Sequence, residues 1–212
     1  MSQYPLLEPD RDASLINLPD GQLRYFPHLF PESEADRLMA SLQAEIPWEQ
    51  SDIWIAGQRR KIPRLNAWYG DAGADYSYSG RLFRALSWLP DLKTIKQQVE
   101  SACGTVFNSA LVNLYRDGSD SVDWHSDDEP ELGSNPIIAS VSLGAVRRFQ
   151  IKHKSRREVG LRDLDLGHGS LLVMEGEFQH HWRHRLPKMP GVNKARLNIT
   201  FRRVHVATLL PQ

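Results

Sequence analysis

Residues 113–129 read Asn-Leu-Tyr-Arg-Asp-Gly-Ser-Asp-Ser-Val-Asp-Trp-His-Ser-Asp-Asp-Glu, which places His125 two positions before Asp127. In an extended chain, residues two apart project the same way. This imidazole and this carboxylate therefore face one point, as two ligands of one ion must. Completed by a distant histidine, they would form the two-histidine, one-carboxylate set that holds non-haem Fe(II) and leaves three positions open for a cosubstrate and oxygen. A lone His-x-Asp is weak evidence, because the chain has 8 histidines and the ordinary alternative is a loop with a hydrogen-bonded imidazole. The third donor has to come from Gln179-His180-His181-Trp182-Arg183-His184-Arg185-Leu186-Pro187. Spacing does not choose among its three histidines.

A second segment strengthens the case. In Ala195-Arg196-Leu197-Asn198-Ile199-Thr200-Phe201-Arg202 polar and apolar residues alternate without a break. As a strand it points Arg196, Asn198, Thr200 and Arg202 to one side and Leu197, Ile199 and Phe201 to the other. Such a polar face meets either solvent or a polar cavity, and a nearby metal favours the cavity. Arginine suits carboxylates because its planar fork binds them bidentately. Six residues of strand span roughly 20 Å. Two arginine arms of roughly 6–7 Å each leave a gap near the length of a five-carbon diacid, so both ends of 2-oxoglutarate fit the same strand. Asn113 and Tyr115, also two apart, could add neutral hydrogen bonds.

The elements that must carry these residues can be read from pattern. Leu38, Leu42 and Ile46 recur at helical spacing behind Pro31 and the acidic Glu32, Glu34 and Asp36, which predicts a helix over 31–46 that Pro47 stops. Leu92, Ile95 and Val99, ahead of Gly104, predict another over 90–103. After Gly104 the chain turns strand-like at 106–115, 137–143, 148–153, 170–175 and 195–206, with Gly- and Pro-containing turns between. Helices first and short strands later predict an α+β protein. Its core is expected to be a double-stranded β-helix, or jelly roll, with the N-terminal helices packed on one sheet.

With 212 residues, 41% hydrophobic and 25% charged, the chain is expected to fold as one soluble domain over 17–212 behind a loose tail at 1–16. No apolar run is long enough for a membrane span, and the first twenty residues lack a basic-then-apolar signal pattern. A single cysteine, Cys103, excludes a disulfide framework, so a cytoplasmic monomer is expected. Lysine plus arginine and aspartate plus glutamate each number 26, which argues against coating nucleic acid by bulk charge. Three local basic clusters remain: Arg59-Arg60-Lys61 with Arg64, residues 147–157, and Arg183-His184-Arg185 with Lys188. Each alone reads as solvated surface.

Taken together, these stretches resemble the AlkB family of nucleic-acid dealkylating oxygenases, and most of all its branch that repairs alkylated double-stranded DNA. The resemblance also rests on Pro63-Arg64, Tyr69-Gly70-Asp71-Ala72-Gly73, Tyr76-Ser77-Tyr78-Ser79-Gly80, Ser140-Val141-Ser142-Leu143-Gly144 and His168-Gly169-Ser170-Leu171-Leu172, and it runs from about residue 53 to 203. It implies Fe(II), 2-oxoglutarate and O2 as cofactor and cosubstrates. It makes His184 the third iron ligand with His125 and Asp127, and it assigns the 2-oxoglutarate carboxylates to Arg196 and Arg202, helped by Thr200, Asn113 and Tyr115. It implies nucleotide-recognition hairpins around 50–80, with Tyr78 and His125 stacking on a flipped base. Tyr76 and Asp128 would hydrogen-bond the base edge or each other, with Glu129 nearby, and Arg64 would lie on the substrate side. The wedge that fills the vacated stack falls on Ala56, with Ile55 or Trp54 as substitutes. The implied reaction is oxidative demethylation of 1-methyladenine and 3-methylcytosine in DNA, releasing formaldehyde and succinate. RNA, a protein or a small molecule is the alternative substrate. No role follows for His168, His180 or His181.

Overall fold

The computed structural model describes residues 13–55, 57–74, 76–78 and 81–205, with side chains described throughout except at 54–55, 76–78 and 81–83. Strands β1 (Ser14–Leu18) and β2 (Gly21–Phe26) open the chain as a hairpin. Helix α1 (Glu32–Glu45) follows, then hairpin β3 (Asp52–Ile55) and β4 (Gln58–Lys61), strand β5 (Leu65–Gly70), hairpin β6 (Tyr76–Tyr78) and β7 (Arg81–Phe83), and helix α2 (Pro90–Cys103). Eight strands make the rest: β8 (Ser109–Tyr115), β9 (Val122–His125), β10 (Ile138–Gly144), β11 (Arg147–His153), β12 (Arg162–Leu166), β13 (Ser170–Glu175), β14 (Trp182–Leu186) and β15 (Arg196–Arg202). One short helix, α3 (Phe178–His181), sits directly before β14.

The two long helices form where their patterns place them. Pro31 stays extended, and α1 begins behind it with Glu32 and Glu34 at the positive end of the peptide dipoles. Pro90 opens α2, and Gly104, at φ 69°, closes it in the left-handed conformation that a residue without Cβ adopts freely. Ala35, Leu38 and Leu42 of α1 and Leu92, Ile95 and Val99 of α2 are buried in one cluster with Ala110, Val112, Val141, Leu171, Leu197 and Ile199 of the strands. Each of these leucines and isoleucines contributes about 1.5–3 kcal/mol by leaving water.

Two antiparallel sheets carry the site. The larger runs β1-β2-β13-β10-β15-β8-β5 and the smaller β12-β11-β14-β9. From β8 onward the chain alternates between them, apart from the β11–β12 hairpin. That is the winding of a double-stranded β-helix, as the helix-then-strand pattern predicts. Strand β15 lies between β10 and β8 and is buried along its whole length. Its apolar residues join the helix-side cluster, and its polar ones face the space between the sheets, so the cavity reading of that face holds rather than the solvent one. Gly144 sits opposite Arg196 at the entry to β15 with φ 89°, where a Cβ would strike the carbonyl of Ala195.

Of the loose tail expected over 1–16, residues 1–12 lie outside the described residues, whereas the chain is already paired from Ser14. Strands β12 and β14 have no counterpart in the pattern reading, because Arg-Asp-Leu-Asp-Leu and Trp-Arg-His-Arg-Leu carry too few β-branched residues to announce themselves. Among the described residues no helix is long and apolar enough to cross a membrane.

Candidate active site

His125 ends β9 and His184 lies mid-way along β14. The two strands pair so that His184 sits opposite His125, with ring centroids 4.2 Å apart. Asp127 follows two residues after His125, and its Oδ2 is 3.6 Å from His184 Nε2. One donor atom from each of the three lies within 4.8 Å of the others. His181 instead turns toward Glu177 at 3.7 Å, and His180 Nε2 accepts the amide of Asn135 at 3.5 Å. Of the three histidines that spacing left open, His184 is the one brought beside His125 and Asp127.

The side-chain chemistry suits a metal. His125 Nδ1 lies 2.8 Å from the carbonyl of Asp123, an acceptor only, so Nδ1 donates to it and Nε2 is the nitrogen left for a metal. Burial pulls His184 down to about 3, aided by His125 and outweighing the attraction of Asp127, so its imidazole is neutral. Burial alone would raise Asp127. The guanidinium of Arg202, 2.6 Å away, overcomes this and holds the carboxylate well below its usual range. Two imidazoles and one carboxylate converging on one point fit a ferrous ion.

Arg202 is already engaged. Its Nη2 donates to Asp127 Oδ1 at 2.6 Å, so it steadies the carboxylate whose other oxygen faces His184. Arg196 differs. It is 2% exposed, donates from Nη2 to Ser142 Oγ at 2.8 Å and stacks 5.5 Å from the centre of the Tyr115 ring. Burial lowers it to about 10, which leaves it charged at neutral pH. No carboxylate among the described residues pairs with it, and its Nε has no partner there. A buried guanidinium without a counter-ion is costly, and its environment favours an anion. Both arginines line one pocket with the triad, Asn113, Tyr115 and Thr200. Asn198 donates to Ser140 Oγ at 2.8 Å and accepts from Thr200 at 3.1 Å, completing the polar floor.

The remaining expected site residues are placed unevenly. Arg64 lines the pocket and donates to Asn113 Oδ1 at 2.9 Å. Asp128 is exposed and ion-paired with Lys154 at 2.9 Å, and Glu129 next to it is half-buried. The side chains of Ile55, Tyr76 and Tyr78, and all of Ala56, lie outside the described residues. His168 does not line the pocket: its Nδ1 accepts the amide of Gly144 at 2.7 Å, and its Nε2 lies 3.3 Å from Asp36 of α1.

Arg147, read with its basic neighbours as solvated surface, is instead 1% exposed. It donates to the carbonyls of Asp117 at 2.9 Å, Asp120 at 2.8 Å and Pro187 at 2.9 Å, stapling the loop before β9 to the end of β14. The signal was present in the strand alternation, because Arg147 shares a face with the buried Phe149 and Ile151. Arg147→Met leaves three carbonyls without their donor, and urea denaturation should show a loss of about 2–5 kcal/mol.

A second group, Asp20, His153 and His181, also brings three donor atoms within 4.8 Å of one another. Here the tautomer opposes a metal. His153 Nδ1 accepts the amides of Arg156 at 2.9 Å and Ser155 at 3.2 Å, so the proton lies on Nε2 and points at Asp20 3.2 Å away. That nitrogen has no lone pair to give, and Arg156 occupies the same carboxylate oxygen at 2.9 Å. The group braces the β1–β2 turn.

Comparison with known proteins agrees with this geometry. The family model of the 2OG-Fe(II) oxygenase superfamily matches residues 22–202. Alpha-ketoglutarate-dependent dioxygenase alkB homolog 3 of Rattus norvegicus is 43% identical over 192 residues, 85% of this chain and 63% of that protein. DNA oxidative demethylase ALKBH2 of Mus musculus is 39% identical over 185 residues, 83% of this chain and 77% of that protein. The chain thus spans somewhat under two thirds of the alkB homolog 3 sequence and over three quarters of the ALKBH2 sequence. Among solved structures, that of OsALKBH1 superposes with a TM-score of 0.59 at 18% identity, covering 90% of this chain and 100% of its own, a likeness of fold.

Proposed function

Because the chain belongs to the 2OG-Fe(II) oxygenase superfamily, and within it to the AlkB family, we propose that it oxidatively demethylates alkylated nucleobases in DNA, with 1-methyladenine and 3-methylcytosine as its substrates. The observation that carries the reading is Arg196: a buried, charged guanidinium with no carboxylate partner among the described residues, lining the same pocket as a His-Asp-His set whose donor atoms converge. The names of the mouse and rat relatives support the substrate class and the cosubstrate.

In this reading His125, His184 and Asp127 would hold Fe(II). When bound, the iron with 2-oxoglutarate and O2 supplies the oxidation of an N-methyl carbon, leaving succinate, CO2 and a hydroxymethyl group that departs as formaldehyde. The protein's own contribution is placement and electrostatics. Arg196 binds a carboxylate of 2-oxoglutarate, with Tyr115 stacked along its guanidinium and Ser142 fixing its Nη2. Asn113, Tyr115 and Thr200 offer hydrogen bonds to the same molecule. Arg202 holds Asp127 ionised and aimed, and its guanidinium lines the same pocket for the second carboxylate. Phe149, 5.3 Å from His184, helps to keep the pocket dry. Helices α1 and α2 serve as the layer over the outer face of the large sheet. Tyr76, Tyr78 and Ile55 on the β3–β7 hairpins take the flipped base and the vacated stack, and Asp128 and Glu129 favour the cationic lesions.

The experiment is turnover on oligonucleotides bearing 3-methylcytosine or 1-methyladenine, offered as single-stranded DNA, duplex DNA and RNA. The expected result is formaldehyde and succinate in equal amounts, dependent on both Fe(II) and 2-oxoglutarate, and faster from DNA. Faster release from RNA would move the substrate assignment. Succinate formed with a methylated peptide and with no nucleic acid would overturn it.

A further inference from the structure

The metal-binding reading explains why His125, Asp127 and His184 meet, but not what keeps the two strands that bear them together. Strand β9 is the edge of the smaller sheet, and its ladder to β14 shifts register between His184 and Leu186. Just beyond β9 the chain is tied sideways, residue after residue, to the segment that leads into His184. Ser126 Oγ donates to the carbonyl of Trp182 at 2.8 Å. The amide of Asp127 donates to Gln179 Oε1 at 2.9 Å. Asp128 accepts from Lys154 Nζ at 2.9 Å, and the same ammonium donates to the carbonyl of Gln179 at 2.9 Å.

Gln179 is the centre of this brace. It is 0% exposed, on the four-residue helix α3, five residues before His184. Its amide can take one orientation only. The Asp127 N–H needs an acceptor, so the oxygen faces it, and the nitrogen is left to face Met174 Sδ at 3.5 Å, a sulfur that cannot donate. Met174 itself lines the pocket. The backbone of the one anionic ligand is thereby held by a side chain from α3, the helix directly before the strand that carries His184.

We propose that Gln179 is a positioning residue of the metal centre, setting the backbone of Asp127, and through α3 its distance from His184, so that the ligands are preorganised before metal arrives. This rests on the reading of His125, Asp127 and His184 as metal ligands. Groups that orient metal ligands commonly set about 10–100-fold in metal affinity.

The test uses the full chain and Mn(II) alone, with free metal followed by its electron paramagnetic resonance and folding followed by thermal melting. Gln179→Met keeps the length and apolar volume but removes the acceptor, and it should weaken Mn(II) binding about 10-fold or more. Gln179→Glu restores an oxygen toward the Asp127 amide and should stay within about 3-fold of the unaltered chain. Mn(II) binding by Gln179→Met with unaltered affinity would overturn the proposal. Equal weakening by both variants would also do so, since it would mark a role in packing alone. Failure of the unaltered chain to bind Mn(II) would overturn the metal reading itself, and this inference with it.

Discussion

Arg196→Met is expected to make the ligand-free protein more stable while all but abolishing binding of 2-oxoglutarate. The guanidinium is buried and charged, and no carboxylate among the described residues balances it. Replacing buried charge by an apolar side chain of similar length is often neutral or stabilising by about 1–4 kcal/mol. For a domain of this size each kcal/mol raises the melting temperature by roughly 2–4 °C. The cost appears on binding. Loss of one member of a buried, charge-assisted pair removes about 2–5 kcal/mol, an affinity loss of about 30-fold or more. Thermal melting with and without 2-oxoglutarate measures both effects. A variant that melts lower and still gains the unaltered protein's stabilisation from 2-oxoglutarate would show that Arg196 is a structural cation.

Asp127→Asn should behave in the opposite way although the change lies in the same pocket. The amide is nearly isosteric but carries no charge, so it takes away the anionic metal ligand and the partner of Arg202 together. Arg202 then stands buried with its 2.6 Å carboxylate contact gone. Breaking one side of a buried pair costs about 3–5 kcal/mol. Urea denaturation of the metal-free protein should show that loss, and demethylation should fall by about a thousandfold or more, the scale of one essential electrostatic contact in an active site. Equal stability of Asp127→Asn and the unaltered chain would mean that the Arg202 contact contributes nothing to the fold. The contrast between the two arginines is the informative part: one stabilises a protein carboxylate at all times, and the other waits for a carboxylate to arrive.

Sequence patterns reached much of this arrangement for identifiable reasons. The α1 and α2 helices carry their start and stop residues beside three regularly spaced apolar side chains each, so both could be placed closely. The unbroken alternation of β15 exposed four polar residues sharing one face, and the structure buries all four. Other parts depend on contacts far apart in sequence. Which histidine of residues 180–184 joins the site is decided by the pairing of β14 with β9, and β14 hides behind two arginines on its outward side. Arg147 is masked by the basic run it begins, and its three carbonyl partners lie up to forty residues away. That Arg202 contacts Asp127 follows from the two sheets facing each other, not from the strand that carries it. Gln179 looks like an ordinary amide until α3 turns it inward.

The central claim is that His125, Asp127 and His184 hold the iron, with 2-oxoglutarate seated on Arg196. Crystals grown without oxygen in the presence of Fe(II) and 2-oxoglutarate, measured at the iron absorption edge, test it directly. The account predicts a single strong anomalous peak among those three side chains, with density for a dicarboxylate reaching Arg196. A peak at Asp20, His153 and His181 instead, or iron at the triad with Arg196 turned away from the bound dicarboxylate, would contradict it.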